Sequence, residues 1–419
     1  MTTALHLAGT GAPGALDIAR TPLPPALRPR ADLSVLDITE FFGGTSGGVR
    51  TYLEQKAAFV RERPTLSQVL VVPGARDVIA EGEGVRWYHL RGPRVPMRPP
   101  YRFMLATRQS RRIVEHERPD IVEVGSPGLV PWVVQFATRQ TATPLVYFYH
   151  SHYPAQLTGR ASPTSRWHPR ALAGRLAWRY ARQLDRLFER TIVASEFGAR
   201  ALHAAGVDRT ARVPLGVDVD RFTPARRAAS ALTRALVGLP TEPLAMYVGR
   251  FAPEKELDVL VRAWPRVRRR TGARLVLVGD GPEEARLRAL PGGDEVLWLP
   301  FEHDRDRLAN LLAAADLFVA PGSIETFGLA ALEAMACGIP VLASSEGGVA
   351  ELVTRSGGGA LFPAGSSDGL AEEAVAMLGR DGNRLHEHGM RARAYVEREH
   401  RWASVFDRLF AVYRDVLRH

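Results

Sequence analysis

Short runs of apolar residues alternate along the chain with longer stretches in which apolar residues recur every three or four positions. Such alternation is typical of strands and helices that build a parallel sheet. The strands predicted in the first half are 33–38, 68–73, 120–125, 145–150 and 191–195. Those predicted in the second half are 244–249, 274–279, 295–300, 317–321, 340–344 and 359–362. The pattern therefore predicts an α/β protein made of two consecutive Rossmann-like domains.

Turn-forming residues divide these two sets of strands. The segment 211–227 carries Pro, Gly and Asp without a helical period, so we place the domain boundary there. We predict a mobile tail over 1–30, an N-terminal domain over 31–212, a C-terminal domain over 213–395 and a final helix over 396–419. In open α/β sheets ligands bind at the carboxyl ends of the strands, which predicts a cleft between the two domains.

Composition narrows the class of protein. The 419 residues carry a formal net charge of +10 and a single cysteine, Cys337. One cysteine excludes an intramolecular disulfide and is typical of a reducing compartment. No run approaches the roughly 20 apolar residues that span a bilayer, and the N-terminus does not have the pattern of a signal peptide. We expect a cytoplasmic protein with anionic partners, namely phosphates, a membrane surface or nucleic acid.

Two glutamates lie among small apolar residues in GSIETFGLAALEAMACGIPV, residues 322–341. We expect Glu325 at the cleft and Glu333 about two turns into the helix that follows. Carboxylates so far apart cannot share one proton or one metal ion, but they can accept hydrogen bonds from hydroxyl pairs at the two ends of an extended ligand. The alternative is that Glu325 only complements the helix dipole and that Glu333 is a surface residue.

The start of the same helix is a candidate anion site. We predict that it begins near Thr326 or Phe327. The backbone amides of Phe327, Gly328 and Leu329 would then have no partner within the helix, and such amides bind phosphate.

Two cations follow the strand at 244–249. Arg250 comes directly after it and Lys255 five residues later, one of only two lysines in the chain. Both can neutralise a diphosphate, arginine through its fork and lysine as a point charge. The alternative is a pair of surface cations that form ion pairs with Glu254 and Glu256.

Two further loops of the first domain carry candidate residues. Glycines, among them Gly47 and Gly48, precede a helix after the strand at 33–38 and would allow close approach of a phosphate or sugar. His150 ends another strand and His152 follows it, so each is a candidate hydrogen-bonding or acid–base group. Because no Cys, His or Asp cluster accompanies the two histidines, we predict no metal.

With these residues in view the chain resembles glycosyltransferase family 4. The motifs that carry the resemblance are GGVRTYL, VPLGVDVDRFTP, YVGRFAPEKELDVLVRAW, LVLVGDGPEEARL, ETFGLAALEAMACGIPVLAS and GGVAELV. It covers nearly the whole chain from about residue 33 and is strongest in the Glu-x7-Glu element. One departure is that the usual Lys-Gly after the cationic loop is Lys255-Glu256 here. The resemblance implies the GT-B fold, a retaining mechanism and a C-terminal helix that crosses back to the N-terminal domain.

The resemblance also implies roles for the candidate residues. Arg250 and Lys255 would bind the donor diphosphate and stabilise the departing nucleoside diphosphate. Glu325 would hold hydroxyls of the donor sugar, and Glu333 would hold the ribose. No metal cofactor is implied, because the two cations and the helix dipole supply the positive charge.

Further contacts to the donor follow from the same resemblance. The amides of Phe327, Gly328 and Leu329, with the loop at Gly47 and Gly48, would complete the phosphate site. His150 would lie near the reaction centre, with His152 as the alternative. The base would be read near Phe301, whose identity does not distinguish UDP from GDP.

The acceptor is left open by the sequence. Leucines, Trp178 and arginines recur at near-helical spacing over 165–190, as in helices that lie on anionic membranes. Family resemblance and this segment together suggest a lipid or glycan acceptor, with a peripheral contact to the inner face of the cell membrane. The alternative is a helix packed on its own sheet with a solvated arginine face.

Two other classes of protein explain less of the sequence. A nucleic-acid-binding protein would use the positive charge, but it leaves Glu325 and Glu333 unexplained and no known nucleic-acid-binding motif is present. An NAD-dependent enzyme would rest on GTGAPG at 9–14, where Pro13 does not fit the helix that this fingerprint requires.

Overall fold

The computed structural model describes residues 17–27, 31–43, 47–96, 101–158, 169–236, 238, 242–379 and 382–418. The GTGAPG segment, Gly44 and residues 1–16 and 28–30 of the predicted tail lie outside this part of the chain.

The first half of the chain builds an eight-stranded sheet of order β3-β4-β2-β1-β5-β6-β7-β8. Its strands are β1 Leu33–Ile38, β2 Leu66–Gly74, β3 Val78–Gly82, β4 Val85–Arg91, β5 Ile121–Val124, β6 Leu145–Tyr149, β7 Arg190–Val193 and β8 Thr210–Arg212. Its helices are α1 Gly48–Arg61, α2 Thr107–Glu117, α3 Val130–Ala137, α4 Tyr153–Thr158, α5 Pro169–Asp185 and α6 Glu196–His203. The sequence predicted five of these strands and missed β3, β4 and β8.

The second half builds a six-stranded parallel sheet of order β11-β10-β9-β12-β13-β14. Its strands are β9 Leu244–Val248, β10 Arg274–Val278, β11 Val296–Leu299, β12 Leu317–Ala320, β13 Val341–Ser344 and β14 Gly359–Phe362. The remaining helices are α7 Ser230–Leu236, α8 Leu257–Thr271, α9 Glu284–Arg288, α10 Arg305–Ala314, α11 Leu329–Ala336, α12 Gly348–Ser356, α13 Ser367–Leu378, α14 Gly382–Glu399 and α15 Trp402–Val416. All six strands match those predicted.

The strands were predictable because both faces of each sheet are covered by helices. In β10, for example, the neighbours Val276 and Leu277 point to opposite faces and are both fully buried. A strand buried on both faces has a continuous apolar run, and such a run stands out in the sequence.

The last helix returns to the N-terminal domain, which confirms the predicted architecture. Phe59 of α1 packs against Phe406 and Phe410 of α15, with ring centroids 5.3 and 5.6 Å apart. Where the chain crosses back, the Val217 amide donates to the His400 carbonyl at 2.8 Å. The two passages of the chain between the domains therefore lie side by side.

Residues 17–27, which the sequence placed in the N-terminal tail, contact the first domain. Ile18 is fully buried. The Leu27 amide donates to Glu117 at 3.1 Å, and Arg86 donates to the carbonyl of Pro25 at 2.8 Å. Hydrogen bonds and apolar burial thus hold this segment against α2 and β4.

Candidate active site

Two cations lie in the loop between β9 and α8. Arg250 follows β9 closely, and Lys255 ends a short 3-10 turn. Arg250 forms an ion pair with Glu254. Lys255 forms an ion pair with Glu325 of the β12–α11 loop, and the two side chains are 24% and 25% exposed. The structure therefore brings together two residues for which the sequence suggested separate contacts to one ligand.

The residue after Lys255 has a left-handed backbone. Glu256 has a φ of 48°, where a side chain costs roughly 1 kcal/mol and glycine is favoured. The usual residue after this lysine in the family is glycine, which adopts such a φ without strain. Glu256 replaces that glycine here and has the strained backbone conformation. The Glu256 carboxylate accepts hydrogen bonds from the Ser323 hydroxyl at 2.8 Å and from its amide at 3.3 Å. These bonds tie the two loops of the site together.

Helix α11 begins later than predicted. It begins at Leu329, whereas the apolar pattern placed its start near Thr326 or Phe327, and that prediction was wrong. The reason is Gly328, the N-cap, whose φ of 91° is not helical. A Cβ on Gly328 would collide with Val349. Sequence periodicity does not reveal this backbone conformation.

Thr326 is occupied by contacts to the N-terminal domain. Its hydroxyl donates to the His150 carbonyl at 2.9 Å, and its own carbonyl accepts from the Ser195 hydroxyl at 2.5 Å. Glu325 precedes Thr326, so these bonds hold the Glu325 loop against the carboxyl ends of β6 and β7.

Glu333 is not a surface residue. It is 2% exposed and pairs with Arg305 at 2.5 Å. Burial raises the pKa of the Glu333 carboxyl, and the Arg305 charge acts in the opposite direction. Arg305, the first residue of α10, also lies over the Phe222 ring at 4.9 Å. Arg305 was not predicted from the sequence. It lies 28 positions before Glu333, and a separation of that size does not indicate that two residues are in contact.

The candidate anion sites lie at two helix N-termini. Gly47 is the N-cap of α1 and Gly48 its first residue, and a Cβ on either would have no neighbour within 4 Å among the residues that the structure describes. At the other helix Phe327 is buried, and Leu329 opens α11 with first-turn amides that lack a partner within the helix. Phe301 follows β11 and packs edge-on against His303 at 4.8 Å.

His150 lies at the end of β6 with its ring stacked on Phe148, the centroids 4.2 Å apart. Burial, with a smaller contribution from the Lys56 charge, lowers the pKa of His150 to about 3. The imidazole is therefore neutral at pH 7. It can exchange hydrogen bonds with a ligand, but it holds no extra proton to donate.

His152 is placed differently from His150. It is 4% exposed, and its Nδ1 lies 3.1 Å from the Tyr149 hydroxyl. Burial lowers the pKa of His152 to about 4. His150 lines a small cavity with Asp37 and Glu123, whereas His152 lines a large cavity between the domains. Of the two histidines, His150 is the one that contacts Thr326.

A buried charge cluster, which the sequence did not predict, lies beside His150. The Lys56 amine lies 2.7 Å from both the Asp37 carboxylate and the Tyr413 hydroxyl, and 3.6 Å from Glu123. Tyr413 also donates to Glu123. Burial raises the pKa of Glu123 to about 7. The cluster joins α15 to the sheet beneath the cleft.

Within the described ranges, no three His, Cys, Asp or Glu side chains are grouped as a metal ion would require. The positive charges at the β9 and β12 loops are those of Arg250 and Lys255. Metal independence stays a prediction of the sequence.

Comparisons with known proteins match both halves of the chain. Residues 46–221 match the family model described as Glycosyltransferase Family 4, and residues 242–380 match Glycosyl transferases group 1. A GDP-mannose-dependent alpha-mannosyltransferase of Mycobacterium tuberculosis is 33% identical over 71% of this chain and 73% of its own. A GDP-mannose-dependent alpha-(1-6)-phosphatidylinositol dimannoside mannosyltransferase of that species is 30% identical over 78% of this chain and 83% of its own. In fold, the chain is similar to sucrose-phosphate synthase from Thermosynechococcus elongatus, with a TM-score of 0.71, 23% identity and coverage of 92% and 99%.

Proposed function

The chain belongs to glycosyltransferase family 4 and is a hexosyltransferase with a nucleotide-sugar donor and the GT-B fold, and on that premise we propose that it transfers mannose from GDP-mannose to a glycolipid acceptor. The observation that carries the proposal is the meeting of Lys255 and Glu325 where β9 and β12 end, at the switch point of the sheet. Mannose as the sugar and guanosine as the nucleoside are supported by the two mannosyltransferase relatives.

The donor diphosphate would lie against Arg250 and Lys255. Each cation has a carboxylate partner in the structure, Glu254 and Glu325 respectively. A diphosphate carries more charge than one carboxylate and would take over Lys255, which frees Glu325 to accept hydrogen bonds from the hydroxyls of the mannose. Binding of the donor thus exchanges an internal ion pair for two contacts to the ligand.

The nucleoside would lie along α11. Glu333 would accept hydrogen bonds from the ribose hydroxyls while it keeps its ion pair with Arg305, whose charge opposes the rise in the pKa of Glu333 that burial causes. The amides at Phe327–Leu329 and the open N-terminus at Gly47 and Gly48 would surround the phosphates.

The proposed chemistry replaces the bond from the anomeric carbon to the diphosphate by a bond to an acceptor hydroxyl oxygen, with retention. Negative charge grows on the departing diphosphate oxygen, and Arg250 and Lys255 stabilise it without a metal. The acceptor attacks from the face of the leaving group, so its proton can pass to the departing phosphate oxygen. His150, neutral at pH 7, would bind a sugar hydroxyl.

A membrane-facing surface would deliver the acceptor. Leu129, Trp132 and Phe136 of the α3 segment are 43%, 36% and 44% exposed, and Leu172 and Leu176 of α5 are 56% and 57% exposed. We call these five residues the apolar patch. The Trp132 indole donates to the Tyr180 hydroxyl of α5 at 3.2 Å, so the two helices meet at this point. With a net charge of +10, the patch supports peripheral contact with anionic lipid.

Other residues of α5 support the alternative, that the helix packs on its own domain, since Ala177, Ala181 and Leu184 are buried. Among the described residues, no helix combines the length and hydrophobicity needed to cross a bilayer.

A ligand panel tests the donor. We expect GDP and GDP-mannose to raise the melting temperature of the purified protein more than UDP or ADP, with no change when EDTA is added. Radiolabelled mannose should then pass from GDP-mannose to a membrane lipid extract. Stabilisation by UDP alone would contradict the choice of donor, and loss of the shift with EDTA would contradict metal independence.

A further inference from the structure

The buried charge cluster beside His150 takes no part in the donor contacts proposed above. Asp37 of β1 and Glu123 of β5 are paired in register, so their side chains lie opposite each other on one face of the sheet. Lys56 of α1 lies 2.7 Å from the first carboxylate and 3.6 Å from the second. All three side chains are at most 2% exposed, so bulk water does not screen their charges.

Two tyrosines join the carboxylates to the helices that cover them. Tyr52 of α1 donates to Glu123 at 2.9 Å, and Tyr413 of α15 donates to the same carboxylate. The Tyr52 ring also packs edge-on against the His150 ring, with centroids 5.2 Å apart. The cluster is therefore in contact with the histidine that is proposed to bind the donor sugar.

The cation of the cluster is one of only two lysines in the chain. A compact ammonium can donate to oxygens from several directions, whereas the planar guanidinium of arginine suits a single carboxylate. Lys56 is surrounded in this way by Asp37, Glu123 and the Tyr413 hydroxyl. Buried ion pairs often give no more stability than apolar residues of the same volume, so stability alone does not account for the cluster.

The cluster borders the proposed reaction centre at a small cavity. Asp37, Glu123, His150 and Val49 are among the residues that line this cavity. Val49 follows Gly48, whose loop would surround the donor phosphates. Among the described residues, the lining side chains leave no space for a water molecule. The charges of the cluster therefore act on the cleft with no water in this gap.

The net charge of the cluster is negative. One ammonium faces two carboxylates, which leaves one net negative charge when both carboxylates are ionised. Burial raises the pKa of both tyrosines, so their hydroxyls are neutral at pH 7. His150 is neutral as well, because burial lowers its pKa to about 3.

We propose that Glu123 takes part in the transfer reaction without touching the donor, because its negative charge stabilises the positive charge that develops on the donor sugar. That positive charge arises as the bond from the anomeric carbon to the diphosphate breaks, since the bonding electrons leave with the diphosphate oxygen before the acceptor oxygen has fully bonded. Arg250 and Lys255 stabilise the charge that departs, and the cluster stabilises the charge left behind. The inference rests on the proposed chemistry but not on the choice of mannose.

Glu123 changes its charge near neutral pH. Burial raises the pKa of Glu123 to about 7, the Lys56 charge and the Tyr413 hydrogen bond act against this rise, and the Asp37 charge adds to it. Below pH 7 a proton on Glu123 leaves one ammonium and one carboxylate, whose charges cancel. The stabilisation of the sugar should therefore be present above pH 7 and lost below it.

The pH profile of the single-turnover rate at saturating GDP-mannose tests this role, since that rate reports sugar transfer and not product release. In the unmodified enzyme we expect the rate to rise as pH increases through about 7. Glu123→Gln should lack this rise and stay about tenfold below the high-pH rate, with little change in donor affinity. Tyr413→Phe keeps the carboxylate but removes a bond that lowers its pKa, so the rise should move to higher pH.

Glu117→Gln is the matched control. Glu117 is a buried glutamate of the same domain that pairs with Arg86 and accepts from the Tyr88 hydroxyl, and it does not line the small cavity. This variant should keep the profile of the unmodified enzyme. Melting temperatures across the pH range identify misfolded variants, and Tyr413→Phe, which loses a single oxygen, still tests the role if Glu123→Gln does not fold.

The outcomes separate this inference from the proposed function. A purely structural Glu123 would lower the rate at every pH and leave the rise near pH 7 in place, which would overturn the inference. So would an unmodified enzyme without the rise, or a rise that Tyr413→Phe does not move. Absence of transfer from GDP-mannose would instead count against the proposed donor, and the profiles would then be measured with the sugar conjugate of the nucleotide that stabilises the protein.

Discussion

At the scale of single residues, the candidate site is held by two pairs of opposite charges, and the proposed donor would replace the carboxylate in one of them. Lys255 pairs with Glu325, and Arg305 pairs with the buried Glu333. Removal of one member leaves the other without its partner. That loss is small at the partly exposed pair and large at the buried one, where an unpaired carboxylate must be desolvated or protonated.

Replacement of Lys255 should weaken catalysis more than binding. We expect Lys255→Ala to lower kcat by on the order of 10²-fold with a smaller change in KM, because the lost charge acts mainly on the departing diphosphate. Steady-state kinetics with GDP-mannose measure this. Arg262→Ala, an exposed arginine on α8, serves as control, and a kcat within twofold of the unmodified enzyme in Lys255→Ala would refute the role.

Some residues of the candidate site could be proposed from the sequence and others could not. Lys255 and Glu325 could be proposed, because their positions after strands and their motifs are local features. Arg305 and the cluster around Lys56 were missed, because each depends on residues distant in sequence that only packing brings together.

At the scale of elements, all six strands of the second sheet and the five central strands of the first were predictable, whereas β3, β4 and β8 at the two edges of the first sheet were not. Central parallel strands are continuously apolar, whereas β3 and β4 form an antiparallel pair at an edge with a weaker pattern. The helix start at Leu329 was mispredicted because Gly328 has a left-handed backbone. The exposed apolar side chains of α3 were not predicted, since an exposed apolar face has the same spacing as a buried one.

The apolar patch on α3 and α5 predicts lipid binding. We expect the protein to float with anionic vesicles, and Phe136→Glu/Leu176→Glu to reduce the bound fraction at least fivefold, because each substitution removes apolar contact and adds repulsion. Leu232→Glu, at a residue 67% exposed on α7, should float normally. If the double variant binds vesicles as well as the unmodified protein does, the apolar patch is not the lipid-binding surface.

At the scale of the whole molecule, the two passages between the domains form one connection. Gly216 lies against Trp402, where a Cβ would meet the ring at 2.7 Å, and the His400 ring bonds the Leu215 carbonyl at 2.9 Å. The sequence predicted both crossings but not their contact, which joins residues 185 apart. Burial lowers the pKa of His400 to about 4, so this connection contains a histidine that is neutral at pH 7.

This histidine makes stability depend on pH. Between pH 6.5 and 4 the unfolded chain protonates His400 and the folded chain does not, so the histidine's contribution to the free energy of unfolding falls by about 1.4 kcal/mol per pH unit as pH decreases. The difference in stability between the unmodified protein and His400→Gln, measured by urea unfolding, should shrink accordingly. Val405→Ala changes a buried residue that does not titrate, so the difference in stability between this variant and the unmodified protein should stay constant with pH. A constant difference for His400→Gln as well would contradict the prediction.

The contact between Lys56 and Tyr413 also sets an order of events during synthesis. The two residues are 357 positions apart, so at roughly 5 to 20 residues per second the ribosome needs about 20 to 70 s to make the second after the first. Throughout that time Lys56 lacks its hydroxyl partner and α1 lacks the aromatic cover of α15. The first domain to be translated is therefore the last to be completed, and a nascent chain must carry an unfinished N-terminal core while the whole C-terminal domain is being made.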